Sequence, residues 1–200
     1  LGKIGIRAAA FGFAANLILF AVKLYVGLSS GSLAIYCDSV NNLADTLSCV
    51  IAGAGFFLVT RLDEKRGARV QALASFVIGL AVALTGAYLV WQGLERLMYP
   101  TPVAYTGKYA LLILATVFVK LAMGAAYLAV YRKNASPVIK TLYLDSFLDC
   151  GITLCALMSF WLISTVNFAV DGIASVAIGA IIAVGAARTV IEQAKHLINE

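Results

Sequence analysis

The chain has 200 residues, 62% of them apolar and 12% charged, with a formal net charge of +5. A soluble domain carries roughly 25% charged residues, so a water-facing surface is excluded and the chain reads as one membrane domain. The excess of positive charge does not point to nucleic acid, because the basic residues sit in short segments between apolar runs and form no stripe interleaved with aromatics.

The first apolar run covers residues 8–28 and ends at Ser29, Ser30 and Gly31. It is long and lacks a small-residue cleavage site, so a retained helix is expected in place of a cleavable leader. The second run covers 32–60 and is followed by a charged loop over 61–69. The third covers 70–98 and stops at Tyr99, Pro100, Thr101 and Pro102, because proline cannot continue a helix. The fourth covers 105–131, with a basic turn at Arg132, Lys133 and Asn134. Pro137 stands in the first turn of the fifth, where its missing N–H costs nothing, and that span reaches 163. The sixth covers 168–188, and an amphipathic tail follows over 189–200.

Runs of this length exceed the roughly 20 residues that cross the hydrocarbon core. Lipid tolerates only helices or closed barrels, and the alternating barrel pattern is missing. The expected fold is an all-α membrane protein: six transmembrane helices over 1–188 and a short cytoplasmic tail over 189–200. Lys3, Arg7, Arg61, Lys65, Arg66, Arg69, Arg132, Lys133, Lys140, Arg188 and Lys195 fall on one side, and only Arg96 and Lys108 on the other. The positive-inside rule then places both termini in the cytoplasm. Lys23 and Lys120 lie within spans and are expected to snorkel toward an interface.

Four cysteines, Cys37, Cys49, Cys150 and Cys155, lie inside apolar runs without C-x-x-C spacing. They read as small buried hydrophobes, not as metal ligands or a disulfide framework.

Ionisable groups in hydrocarbon cost about 2.5–3.5 kcal/mol each on insertion scales, so their positions carry information. The second span contains Asp38, Asn41, Asn42 and Asp45; the fifth contains Asp145 and Asp149. Asn41 and Asp45 are four residues apart and share a helical face, as do Asp145 and Asp149. If the two faces meet, one amide and three carboxylates converge. Such a cluster cannot stay fully charged without a cation. A divalent metal ion would hold it together, and protons would take its place when it leaves. The competing account pairs the acids with Lys23 and Lys120.

Asp38 shares roughly the face of Asp45, two turns away. It either lines an exit path, pairs with Lys23 or bonds to backbone. Tyr36 and Tyr143 either line a polar path or pack, and packing is expected. Asp171, near the outer end of the sixth span, is expected to be structural. Asn16 reads as interhelical glue, and His196 as a solvated residue of the tail. Gly79, Gly86 and Gly93 recur every seven residues on one face of the third span, and the sixth is rich in Gly and Ala between Ala174 and Ala187. Close approach of membrane helices needs such faces. No nucleophile–base arrangement or phosphate-cradling loop is visible, so an enzyme is not expected.

The tract from Gly31 through Asp38 and Asn41 to Asp45 resembles the second-helix signature of the cation diffusion facilitators. The tract from Lys140 through Asp145 to Asp149 resembles that family's fifth helix, Asn16 with Lys23 and Gly27 its first, and Val170 to Gly179 its sixth. The resemblance implies a proton-coupled exporter of divalent metal, homodimeric and working by alternating access, multi-pass in an inner or plasma membrane. It implies a transport site of Asn41, Asp45, Asp145 and Asp149, with no cofactor beyond the ion carried. Zinc members usually place histidine at one or two of these positions, and this chain has none there. The set is all oxygen, which suits Mn²⁺ better than imidazole-preferring zinc. The pattern resembles the manganese branch, so Mn²⁺ is expected ahead of Fe²⁺, Zn²⁺ or Co²⁺.

Two departures stand out. The segment 61–69 has no histidine, where the family usually has a Pro-, His- and Gly-rich motif, and Gln71 stands where an acid is common. The family's usual C-terminal cytoplasmic domain is expected to be absent, whether naturally or by truncation. Two other classes stay open: a proton-driven exporter of organic cations, which needs an aromatic-lined pocket, and a non-transporting membrane subunit whose acids only pair with lysines.

Overall fold

Hydrocarbon offers the peptide group no partner, so a chain that crosses it must satisfy its N–H and C=O groups within each segment. The computed structural model describes residues 2–58, 64–134, 137–166 and 169–199. Among them the chain forms six α-helices and no strand: α1 (Gly2–Ser30), α2 (Leu33–Leu58), α3 (Glu64–Met98), α4 (Gly107–Asn134), α5 (Pro137–Leu162) and α6 (Ala169–Asn199). Five of these are long and apolar enough to cross a membrane. The sixth, α2, has 26 residues. That is about 39 Å at 1.5 Å per residue, against a hydrocarbon core of roughly 30 Å. Its apolar character is diluted by the tract from Asp38 to Asp45. The molecule is a multi-pass, all-α integral membrane protein.

One boundary differs from expectation: α3 starts at Glu64, inside the segment expected to be a loop. The amphipathic tail continues α6 as helix to Asn199. Hydropathy marks where a helix leaves hydrocarbon, not where it ends; Glu64, Lys65 and Arg66 are good helix formers in water. Residues 61–63 lie outside the described residues, as do the side chains of Gln71 and His196.

The turn between α1 and α2 is built by local chemistry. Gly31 has φ +72°, the left-handed conformation that ends a helix and that a Cβ disfavours. Ser32 caps α2: its Oγ accepts from Ile35 N at 3.3 Å. Asp171, at the start of α6, accepts from Ser32 Oγ at 2.6 Å and from Leu33 N at 2.9 Å. Its negative charge also suits the positive end of the α2 dipole. Arg96, near the end of α3, pairs with Asp171 at 3.2 Å and donates to the Gly31 carbonyl at 2.5 Å. The α1–α2 turn, the end of α3 and the start of α6 therefore share one end of the bundle. At the other end, Tyr127 near the close of α4 donates to the Ala8 carbonyl at 3.2 Å, close to the start of α1. α1 and α3 therefore run toward the first of these ends, and α2, α4 and α6 run away from it.

Three helix pairs dominate the packing: α1 with α2, α4 with α5, and α3 with α6. The glycine face expected on α3 is the α3–α6 seam. A Cβ at Gly86 would lie 2.6 Å from Ala183 N, and one at Gly93 would lie 2.9 Å from Val176 N. Gly179 of α6 meets Val90 N at 2.9 Å in return. α2 touches α1, α3, α5 and α6, so it carries its polar tract into the middle of the bundle. A core of Val26, Ile35, Leu89, Ile113, Phe160 and Ile178 sits around it. Large apolar side chains such as Leu84, Trp91, Leu111, Phe118 and Leu148 point outward, as lipid contact requires.

Candidate metal-transport site

Two buried lysines organise the polar interior. On α1, Lys23 is fully buried and donates to Asp38 Oδ1 at 2.9 Å and Thr153 Oγ1 at 2.7 Å. Thr153, one helical turn beyond Asp149 on α5, lies 3.2 Å from Asp38 Oδ1 and donates to the Asp149 carbonyl at 2.8 Å. On α4, Lys120 is also buried. Its Nζ donates to Asp45 Oδ2 at 2.9 Å and to Asp149 Oδ2. Asn41 Nδ2 donates to the other oxygen of Asp149 at 2.5 Å. Four side chains from α2, α4 and α5 thus meet, with the ammonium between two carboxylates. Each carboxylate taken from water needs such a partner, or the desolvation penalty stands uncompensated.

Both lysines overturn the expectation that they snorkel. Lys120 is 13 residues into α4, about 20 Å from Gly107 at 1.5 Å per residue, beyond the reach of a lysine stem. That distance favours the other expectation for Lys120, pairing with the acids, which the structure shows for Asp45 and Asp149.

The four predicted ligands are not equivalent. Asn41, Asp45 and Asp149 are joined directly or through Lys120. Asp145 is exposed and lines the same two cavities as Asp45 and Asp149. Among the described residues, no three His, Cys, Asp or Glu side chains stand close enough together to hold a metal ion. One cavity is a groove of about 1330 Å³ between α2, α3, α5 and α6, with walls such as Ile78, Ile152, Met158 and Ile178. Apart from the polar cluster at Asn41, Asp45, Asp145 and Asp149, its walls are mainly aliphatic, and no aromatic side chain is among the described residues that line it. The other is a cavity of about 30 Å³ shared by Asn16, Asp45, Lys120, Asp145 and Asp149.

Of the pathway candidates, Asp38 is sealed by its pairing with Lys23, and Tyr36 packs against the core around Ile35. Tyr143 stacks near Tyr131, with ring centres 5.4 Å apart. Asp171 is structural, as expected. Cys37, Cys49 and Cys150 are buried and all four thiols are free, but Cys155 is exposed and faces the groove, because its position on α5 points away from the core.

Comparison with known proteins gives this arrangement a family. The cation efflux transmembrane domain matches residues 9–198. The chain belongs to the cation efflux, or cation diffusion facilitator, family. It is similar to metal tolerance protein 4 of Oryza sativa subsp. japonica, 27% identical over 201 residues, which is 93% of this chain and 48% of that protein. It is similar to zinc transporter ZitB of Escherichia coli (strain K12), 33% identical over 98 residues, 47% of this chain and 31% of that one. A cadmium, cobalt and zinc/H(+)-K(+) antiporter of Bacillus subtilis (strain 168) is 28% identical over 95 residues, 46% of this chain and 30% of its own. The chain spans about half the length, or less, of these cation efflux relatives.

Proposed function

We propose that the chain moves a divalent metal cation out of the cytoplasm in exchange for protons, with Asn41, Asp45, Asp145 and Asp149 as ligands and Mn²⁺ as the preferred ion. The observation that carries this reading is the meeting of Asp45 and Asp149, from two helices, around a single buried cationic head at mid-span. A site that holds an ammonium group between carboxylates has the charge to hold a metal ion there. Asn41, whose Nδ2 donates to Asp149, would turn its amide oxygen to the ion, and Asp145, on the same α5 face, lines the same cavities. All the donors are oxygens, which suits a hard ion. When the metal departs, protons neutralise the carboxylate charge that Lys120 leaves uncovered, and rocking of helices would expose the site to each side in turn. The names of the similar proteins, which speak of metal tolerance, zinc and H(+) exchange, support the class of cargo. Cytoplasmic termini and a homodimer are carried forward from the charge pattern and the family resemblance.

The test is flux of Mn²⁺ and Zn²⁺, separately and in competition, into proteoliposomes. Asp149→Ala is expected to insert normally and to lose transport. Undiminished flux in that variant rejects the site.

The lysine pairing of Asp38, Asp45 and Asp149 also fits a second reading, a membrane subunit that moves no ion. The same assay on the unaltered protein separates the two. An exporter of organic cations would need an aromatic-lined pocket, and among the described residues the groove is lined mainly by aliphatic and acidic side chains.

A further inference from the structure

Asn16 and Lys120 face each other's cavity, and neither polar group is fully used. Lys120 Nζ donates two hydrogen bonds, to Asp45 and Asp149, while an ammonium carries three donors. Asn16 is buried at 5% exposure; its Nδ2 donates weakly to Cys49 Sγ at 3.9 Å, and its Oδ1 accepts nothing. A buried amide oxygen without a donor is costly. Between them lies the 30 Å³ cavity. That is about the share of one water molecule in the liquid, and an ammonium head is of similar size.

We propose that Lys120 is a tethered competitor for the transported ion, and that Asn16 Oδ1 receives its ammonium group when a divalent cation takes the carboxylates. The inference rests on the site reading given above. Asp149 Oδ2 and Asp45 Oδ2 are covered by the ammonium, so a metal ion reaches them only by displacing it. The displaced group cannot reach an interface, because about 20 Å of helix separates Lys120 from Gly107. A shift within the cavity is the move left to it, and Asn16 Oδ1 is an acceptor already in place. Charge supports a short move over expulsion. Three ionised aspartates, one ammonium and one divalent ion sum to zero; without the ammonium the occupied site would carry a net negative charge in hydrocarbon.

The experiment is calorimetric titration of purified protein in detergent with Mn²⁺ alone. Lys120→Met removes the competitor and is expected to lower the Kd by about tenfold, the scale of one close charge pair. Asn16→Ala is expected to raise the Kd several-fold when Lys120 is present and to leave it unchanged in the Lys120→Met background. A lysine that merely holds the acids in place gives the opposite sign: weaker binding in Lys120→Met overturns the proposal and leaves the site reading intact. An Asn16 effect that persists without Lys120 also overturns it, by making Asn16 a direct ligand. If Lys120→Met fails to fold, Lys120→Gln replaces it with the same expectation. Unchanged affinity in Asn16→Ala alone overturns the proposal whatever the lysine variants do. Absence of Mn²⁺ binding in the unaltered protein, or binding that survives Asp149→Asn, overturns the site reading itself.

Discussion

Lys23 and Asp38 are both completely buried and 2.9 Å apart. Neither can be removed alone without stranding a charge in hydrocarbon, which costs about 3–5 kcal/mol. Lys23→Met is therefore expected to lower the thermal midpoint of the purified protein sharply, read by tryptophan fluorescence. Lys23→Met combined with Asp38→Leu is expected to recover most of the loss. Equal destabilisation in the single and double variants would show that the pair is not the cause. For Asp38 the sequence leaves open an exit path, a backbone bond or a pairing with Lys23, and the pairing is the one realised. Lys120 was legible as a possible partner of the acids, but not of which ones. Periodicity places Asp45 and Asp149 on faces of their own helices, and it does not say which third helix closes over them.

At the scale of the helix, the seven-residue spacing of Gly79, Gly86 and Gly93 announced a close-packing face, and α6 proves to be its partner. The absence of side chains lets the two backbones approach until Ala183 N lies within 2.6 Å of where a Gly86 Cβ would sit. Backbone cannot yield as a flexible side chain does. Gly86→Leu is expected to destabilise the protein by roughly 1–3 kcal/mol or more, the usual scale of overpacking. Gly151→Ala in α5 meets nothing within 4 Å. It is expected to be neutral or stabilising by up to about 1 kcal/mol through helix propensity. Thermal unfolding of both variants checks the contrast, and equal effects would remove the seam from the account. The pairing of α3 with α6, as against any other helix, was not legible, because small residues occur on several faces. Helix ends were misjudged where charged residues continue a helix into water, as at Glu64.

At the scale of the molecule, composition sufficed for the class of fold, since no arrangement of 12% charged residues covers a soluble surface of this size. Two polar centres linked by Thr153 then stack along the bundle, one sealed by Lys23 and one bordered by cavities. The proposed exchange has a direct consequence: an imposed pH gradient should drive Mn²⁺ uptake into proteoliposomes, and an ionophore that collapses the gradient should abolish the driven part. Uptake indifferent to the gradient would leave a metal carrier without proton coupling.

Arg96 sets a mechanical condition on any such cycle. One guanidinium grips the Gly31 carbonyl and Asp171 at once, riveting the first hairpin to both members of the glycine-seamed pair. If that pair swings away from the other helices, the rivet must either shear or serve as a pivot. Shearing strands the fully buried carboxylate of Asp171 without its counter-charge, so the fulcrum belongs at this rim and the wider excursion at the opposite one.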